Sequence, residues 1–349
     1  MNPEKIDQFA QQLLTAVTGA ATTAMIVVGD RLGLYRGLAA GPATPAELAA
    51  RTGTAERYVR EWLSQQAAAG FVEYRPQTQR FALSDEVAAV LADPESPVFM
   101  AGSATLAHGW FAGIDQLVTA FRTGEGIPWH MQHPAVFEGT ERFFRTGYAA
   151  SLTSDWIPAL SGIAENLAGA VIADIGCGHG AASVLLAQAF PEAEVRGFDF
   201  HPESIGVARK RAAEAGVSDR VRFEVAGAAD YPADGYTLIC LLDTLHDLGD
   251  PEAALVHARR VLAPNGAVLV VEPHAEDDFA ANIANPMAAL SYTGSTFQCV
   301  PASLSQPGAA ALGAQAGPKA VTRLAASAGF STCRLVSQTP VNGVFELRR

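Results

Sequence analysis

The stretch Leu241–Pro251, LLDTLHDLGDP, ends an apolar run in Asp243 and then places His246 beside Asp247. Neutral imidazole takes up a proton near pH 7, so His246 has the chemistry of a general base. A second histidine, His274, follows another apolar run in VEPHAEDD. Two histidines with a carboxylate (Asp247, or one of Glu276, Asp277 and Asp278) have the donor types of a metal site. Both histidines also read as plain loop residues. At this level His246 stands open as base, metal ligand or loop residue.

Further upstream, VIADIGCGHGAASVLLAQAF joins a strand to a helix through Gly176, Gly178 and Gly180, with Asp174 just before them. Glycines at such a turn let the backbone bend sharply and come close to a ligand. Asp199 closes the next strand in GFDF, about twenty residues on, where a carboxylate accepts hydrogen bonds from ribose hydroxyls. The plainer reading of Asp199 is a helix cap before Pro202. The dinucleotide pattern GxGxxG seats a pyrophosphate. Here an acidic residue precedes the glycines, which suits a ligand with an amino group, and S-adenosylmethionine carries an ammonium and a sulfonium without phosphate.

The elements around these residues fall into two styles. Residues 1–95 read as helix, turn, helix and a two-stranded wing. TPAELAARTGT opens with a Thr cap, a Pro at the first helical position and a Glu at the third. AERYVREWLSQQAAAG follows with Val59, Trp62, Leu63 and Ala67 on one face. Arg57 and Arg60 on that helix would be the DNA-reading residues of a winged helix, whereas the alternative is a dimerisation domain. Residues 96–168 are helical and hold three of the four tryptophans, Trp110, Trp129 and Trp156. They read as inter-domain core, part of it an apolar cap over a small-molecule site. From 169 to 349 short apolar runs alternate with amphipathic helices, a βαβ series that implies a mostly parallel sheet. The connection 275–317 is long for a compact domain and reads as a lid.

Composition limits the alternatives. The chain of 349 residues is about half hydrophobic and has a net charge of −12. Residues 1–90 hold eight Lys and Arg against nine Asp and Glu. That balance argues against a nucleic-acid surface, where phosphate neutralisation supplies most non-specific affinity. Four cysteines without a CxxC pair fit a reduced, cytoplasmic protein. The uncharged stretch Gln8–Gly29 follows Glu4-Lys5-Ile6-Asp7 rather than a basic leader, so it reads as a buried helix and not a membrane span. Its partner would be another part of the protein, such as the same surface of a second copy.

The set Asp174-Ile175-Gly176-Cys177-Gly178-His179-Gly180, Asp199, and LAPNGAVLVVEP resembles the class I S-adenosylmethionine-dependent methyltransferases. The first half is similar to the winged-helix dimerisation domain of the small-molecule members. ASLSQ and ALGAQAG point to an actinobacterial subgroup labelled both as methyltransferases and as transcriptional regulators. The resemblance implies an α/β, Rossmann-like, seven-stranded domain after a winged-helix domain and helical cap. It implies a homodimer acting on a small-molecule acceptor, with S-adenosylhomocysteine as product. Gly176, Gly178 and Gly180 would line the methionine part with Asp174, and Asp243 and Thr244 would lie near it. Asp199 would hold the ribose, Phe200 would flank the adenine, and Ala228, Ala229 or Asp230 would read it. The plant O-methyltransferases carry a similar LHDW whose histidine is the base, which carries that role onto His246. Here Leu248 replaces their aromatic residue. O-methylation with His246 as base is the preferred expectation. Metal-assisted C-methylation through His246 and His274, or a regulator with an effector site, are the alternatives.

Overall fold

Thr44 begins a helix by a reciprocal cap: its hydroxyl accepts from the Glu47 N–H, and the Glu47 carboxylate accepts from the Thr44 N–H. The computed structural model describes all 349 residues. The chain divides into a first unit, Met1–Ala112 with His133–Thr146, and a second, Gly113–Gln132 with Gly147–Arg349.

The first unit contains α1 (Pro3–Arg31), α2 (Leu34–Ala39), α3 (Pro45–Thr52), α4 (Glu56–Ala68), β1 (Glu73–Arg75), β2 (Arg80–Ala82), α5 (Asp85–Leu91) and α6 (Ala101–Ala112). Strands β1 and β2 pair antiparallel as the wing. The core forms where α4 turns Val59, Trp62 and Leu63 inward against Leu34, Leu38 and Leu48. Trp62 reaches α1, its indole N–H donating to the Met25 carbonyl at 2.9 Å. A Cβ at Gly29 would lie 2.5 Å from the Trp62 ring, so this close approach requires glycine. The outer face of α4 carries Arg57 paired with Glu61 and Arg60 paired with Glu56. The two arginines singled out as DNA readers are thus neutralised on their own helix.

The stretch Gln8–Gly29 forms the helix expected, and the chain itself covers little of it. In α1 only Val27 and Gly29 are buried, and Ile6, Phe9, Leu13, Leu14 and Val17 are exposed. By length and composition α1 would also be long and apolar enough to cross a membrane. Sequence periodicity reports apolarity, and not whether the chain itself supplies the covering surface.

The second unit begins with α7 (Ile114–Thr123) and takes in the end of α8 (Pro134–Ser151). Its sheet comprises β3 (Val171–Ile175), β4 (Glu194–Asp199), β5 (Val221–Val225), β6 (Tyr236–Leu242), β7 (Leu262–Pro273), β8 (Thr332–Gln338) and β9 (Asn342–Arg348). The strand order is β5-β4-β3-β6-β7-β9-β8. The first five strands are parallel, and the chain ends in the antiparallel hairpin β8–β9. Helices α9 (Ala181–Ala189), α10 (Pro202–Glu214) and α11 (Pro251–Val261) follow β3, β4 and β6. Central strands β3 and β6 are mostly apolar because both faces are covered. The order reverses between β3 and β6, so the carboxyl ends of these two strands flank the crevice where such sheets bind ligands. The long connection after β7 holds α12 (Phe279–Ala284), α13 (Ala288–Gly294) and α14 (Val300–Leu304), and α15 (Pro318–Ser327) leads to the hairpin.

Candidate active site

Two loops meet at the reversal point. The first leaves β3 through Gly176, Gly178 and Gly180, all with positive φ. At Gly176 (φ +71) an added Cβ would sit 2.4 Å from Thr244 Cγ2, so the loop touches the exit of β6. At Gly178 (φ +51) an added Cβ would meet nothing within 4 Å, which leaves that backbone facing open space. Gly180 caps α9 and packs toward Phe223 and Ala208.

Asp174, the penultimate residue of β3, is buried and accepts a 2.5 Å hydrogen bond from Ser183 on α9. Burial pushes its pKa up to about 6, against the Ser183 hydrogen bond and with added repulsion from Asp199. Asp199 ends β4 and accepts from the Gly178 N–H and the His201 N–H, each at 2.9 Å. Each carboxylate oxygen keeps a second lone pair for a ligand. Burial raises the pKa of Asp199 while the two N–H groups hold it back. Phe200 is 48 % exposed. Ala228 is half-buried and Ala229 exposed. Asp230 turns back to accept from the Gly227 N–H at 2.7 Å.

The exit of β6 is the second loop. Asp243 takes φ +49, a left-handed conformation that costs a non-glycine residue about 1–2 kcal/mol. Its carboxylate accepts from Tyr148 Oη at 3.0 Å and from Asn342 Nδ2 at 2.9 Å. Burial pushes its pKa up to about 7, opposed by the His246 ring and aided by the Glu272 carboxylate. Thr244 donates to the Leu242 carbonyl at 3.0 Å.

His246 lies in a short 3-10 turn, only 4 % exposed. Its Nδ1 is 2.8 Å from Glu272 Oε2, and the other oxygen of Glu272 accepts from the Leu245 N–H at 3.1 Å. On the far side Nε2 lies 3.3 Å from Asp247 Oδ1. Burial alone would drive the pKa of His246 down, but Glu272 and Asp247 outweigh it and carry it well above the ordinary imidazole range. His274 does not join this group. Its Nε2 lies 3.5 Å from Gln338 and 3.6 Å from Glu276. The residue that does join is Cys299, which ends a π-helical turn at Ser295–Cys299.

The connection 275–317 is fastened to the same loop. Gln306 Nε2 donates to the Asp247 carbonyl at 2.8 Å, and its oxygen accepts from the Gly249 N–H at 3.1 Å. Ser303 Oγ donates to the Leu248 carbonyl at 2.7 Å.

Sequence reasoning missed four participants: Glu272, Cys299, Ser183 and Tyr148. Glu272 left a trace, since a lone carboxylate closing the apolar run of β7 would have to be paired to be buried. Asp247 follows His246 directly in the chain, and consecutive side chains seldom face each other well. The structure gives the Nδ1 contact to Glu272 and leaves Asp247 on the opposite nitrogen.

Comparison with known proteins bears on the family and the fold. Residues 166–329 match the family model described as "Methyltransferase domain", and residues 20–93 match "Rv2258c-like winged HTH domain". The chain is 35 % identical over 109 residues to 27-O-demethylrifamycin SV methyltransferase of Amycolatopsis mediterranei, a match covering 31 % of this chain and 40 % of that one. The next two relatives are covered over 26 % and 46 % of their length, so the chain spans less than half of each of these curated relatives. A longer match, 28 % identical over 73 % of the chain and 74 % of the relative, is to mitomycin biosynthesis 6-O-methyltransferase of Streptomyces lavendulae. Among solved structures, PigF with S-adenosylhomocysteine superposes with a TM-score of 0.73 at 18 % identity, covering 97 % of this chain and 99 % of that one. At that identity the likeness is one of fold.

Proposed function

We propose that the chain, whose residues 166–329 match a methyltransferase-domain model, is an S-adenosylmethionine-dependent methyltransferase that methylates a hydroxyl group of a small molecule, with His246 as the base. The observation that carries this reading is the pair His246–Glu272 at the exit of β6. A carboxylate at 2.8 Å favours the proton on Nδ1, so in the neutral ring Nε2, 3.3 Å from Asp247 Oδ1, is the nitrogen that would accept a proton.

The glycine loop fits the cofactor. The open space beside Gly178 admits a ligand to the backbone, and Asp199, held from behind by two N–H groups, has lone pairs left for ribose hydroxyls. Asp174 and Asp243 are the carboxylates suited to the ammonium group, with Gly176, Gly180 and Thr244 shaping the same loops. Phe200 would flank the adenine, and Ala228 and Ala229 would face it through their backbone, because Asp230 is spent on its own turn. When bound, S-adenosylmethionine supplies a methyl group on a sulfonium. Glu272 orients the ring, His246 Nε2 takes the acceptor's proton, and the Glu272 carboxylate stabilises the resulting imidazolium. Residues 275–317 serve as the lid, clasped by Gln306 and Ser303 to the loop that carries His246.

In the same reading residues 1–95 are a winged-helix dimerisation domain, residues 96–168 a helical cap and residues 169–349 the cofactor-binding domain of a cytoplasmic homodimer. The exposed apolar face of α1 supports the dimer, since a second copy would cover it.

The test is calorimetric titration of the purified, chelator-treated protein with S-adenosylhomocysteine, repeated on Asp199→Ala. Micromolar binding abolished by the substitution supports the cofactor site. An acceptor screen against phenolic and other hydroxyl compounds follows, with His246→Ala as control. Absence of binding by the folded protein removes the proposal.

A further inference from the structure

The open side of His246 has a second chemical identity. His246 Nε2, Asp247 Oδ1 and Cys299 Sγ all lie within 4.8 Å of one another. They come from two separate pieces of chain, the turn after β6 and the π-helical turn before α14. In a tetrahedron with zinc–nitrogen and zinc–oxygen bonds of about 2.0 Å, the nitrogen–oxygen edge is about 3.3 Å. The His246 Nε2 to Asp247 Oδ1 separation is 3.3 Å.

Three further features favour an ion over a simple packed cluster. Asp247 Oδ1 is shut off from solvent and accepts no well-formed hydrogen bond. A buried carboxylate oxygen without a donor is costly unless a cation completes it. Glu272 holds Nδ1 of the same imidazole, which is the carboxylate–histidine–metal arrangement that fixes a ligating tautomer. Cys299 Sγ is buried and its thiol interacts with both His246 and Asp247, besides a 3.8 Å contact to the Gly294 carbonyl, so all three donors converge on one point. The donor set of one nitrogen, one oxygen and one sulfur is borderline-soft and suits zinc over magnesium or calcium.

We propose that His246, Asp247 and Cys299 form a binding site for a divalent cation of the zinc type, with a fourth position left to water or ligand. Two anionic donors, thiolate and carboxylate, balance the charge of the ion. The ion takes the lone pair of Nε2, so metal and proton compete for the same nitrogen. A bound ion therefore suppresses any proton-accepting role of His246. The binding itself does not depend on the methyl-transfer reading.

The experiment uses the full-length, chelator-stripped protein. Zinc chloride is titrated in competition with a chromophoric chelator, and cobalt(II) is added to a parallel sample for absorption spectroscopy. The expected result is one tightly bound equivalent per chain. The cobalt form should show a sulfur-to-metal charge-transfer band and tetrahedral ligand-field bands. Cys299→Ser should remove the charge-transfer band, and His246→Ala should weaken binding. Glu272→Gln should weaken it by about 10- to 100-fold, the range for partners of ligating histidines. Cys333→Ser, the half-exposed cysteine elsewhere, should change nothing. S-adenosylhomocysteine binding by each variant reports that it is folded and tests the cofactor site separately. The proposal is overturned if the wild-type protein binds no stoichiometric ion, if its cobalt form lacks the thiolate band, or if a folded Cys299→Ser binds zinc as tightly as wild type. Where Cys299→Ser does not fold, the wild-type cobalt spectrum alone decides.

Discussion

The Nδ1 atom of His246 lies 2.8 Å from Oε2 of Glu272, a residue 26 positions further along the chain at the end of the neighbouring strand. Parallel pairing of β6 with β7 brings the ends of the two strands level, so a residue just past one meets the last residues of the other. If Nε2 takes the acceptor's proton, His246→Ala should lower kcat by about 10²- to 10⁴-fold, the usual range for loss of a general base. Glu272→Gln should cause a smaller loss, because an amide still accepts the Nδ1–H but no longer stabilises the imidazolium. Affinity for S-adenosylhomocysteine should stay near wild type in both. Steady-state kinetics beside calorimetry checks this, and unchanged kcat in His246→Ala would remove the base.

The second carboxylate makes a separate prediction about pH. Glu272 and Asp247 raise the pKa of His246 well above its ordinary range, overcoming the opposing effect of burial. Only the neutral ring accepts a proton. The kcat/KM of the metal-free enzyme should therefore climb with pH through the alkaline side of neutrality. Asp247→Asn removes one of the two negative charges and should move that rising limb to lower pH. A limb that stays in place in Asp247→Asn would separate Asp247 from the titration.

These relationships differ in how far the sequence discloses them. The glycine turn, Asp199 and the exit of β6 are local features, each a few residues at a strand end, and alternating elements place those ends on one edge of a parallel sheet. Glu272, Cys299, Ser183 and Tyr148 reach the site through pairings that no short window contains. Glu272 reads as the tail of an apolar strand, and Cys299 comes inward only because the chain winds a π-helical turn there. His274 shows the converse. It stands after the right strand but faces Gln338 and Glu276 instead. The apolar face of α1 was legible as apolar, but what covers it is a question of assembly.

Asp174 and Asp243 predict a proton-linked ligand. Burial pushes their pKa values up to about 6 and about 7. Unfolded aspartate titrates near about 3.9, so the folded chain holds extra protons between these values. These two residues thus favour the folded state most in acid, and that contribution is lost as pH rises through about 6 and about 7. A ligand ammonium placed beside them reverses the preference and favours the ionised carboxylates. S-adenosylhomocysteine should therefore bind more tightly as pH rises across this range and should release protons on binding. Calorimetry in buffers of different ionisation enthalpy measures the protons released, and Asp174→Asn should reduce their number. A binding heat independent of buffer at pH 6 would place the ammonium away from both carboxylates.

Gly176 and Gly178 separate two reasons for a glycine in the same loop. Both have positive φ, which costs an alanine about 1–2 kcal/mol at either position. At Gly176 the new Cβ would also collide with Thr244, 2.4 Å away, and push the loop from β3 off the exit of β6. At Gly178 there is no protein atom within 4 Å to meet it. Gly176→Ala should therefore lower the melting temperature by more than Gly178→Ala does. Gly178→Ala should instead act on the ligand. Its methyl group would fill the space assigned to the cofactor, and S-adenosylhomocysteine affinity should fall by well over tenfold while the fold survives. Thermal unfolding with and without S-adenosylhomocysteine reads both effects at once. Wild type should gain stability from the ligand, and Gly178→Ala should gain little or none. Equal ligand stabilisation in wild type and Gly178→Ala would mean that the open face of this glycine is not where the cofactor lies.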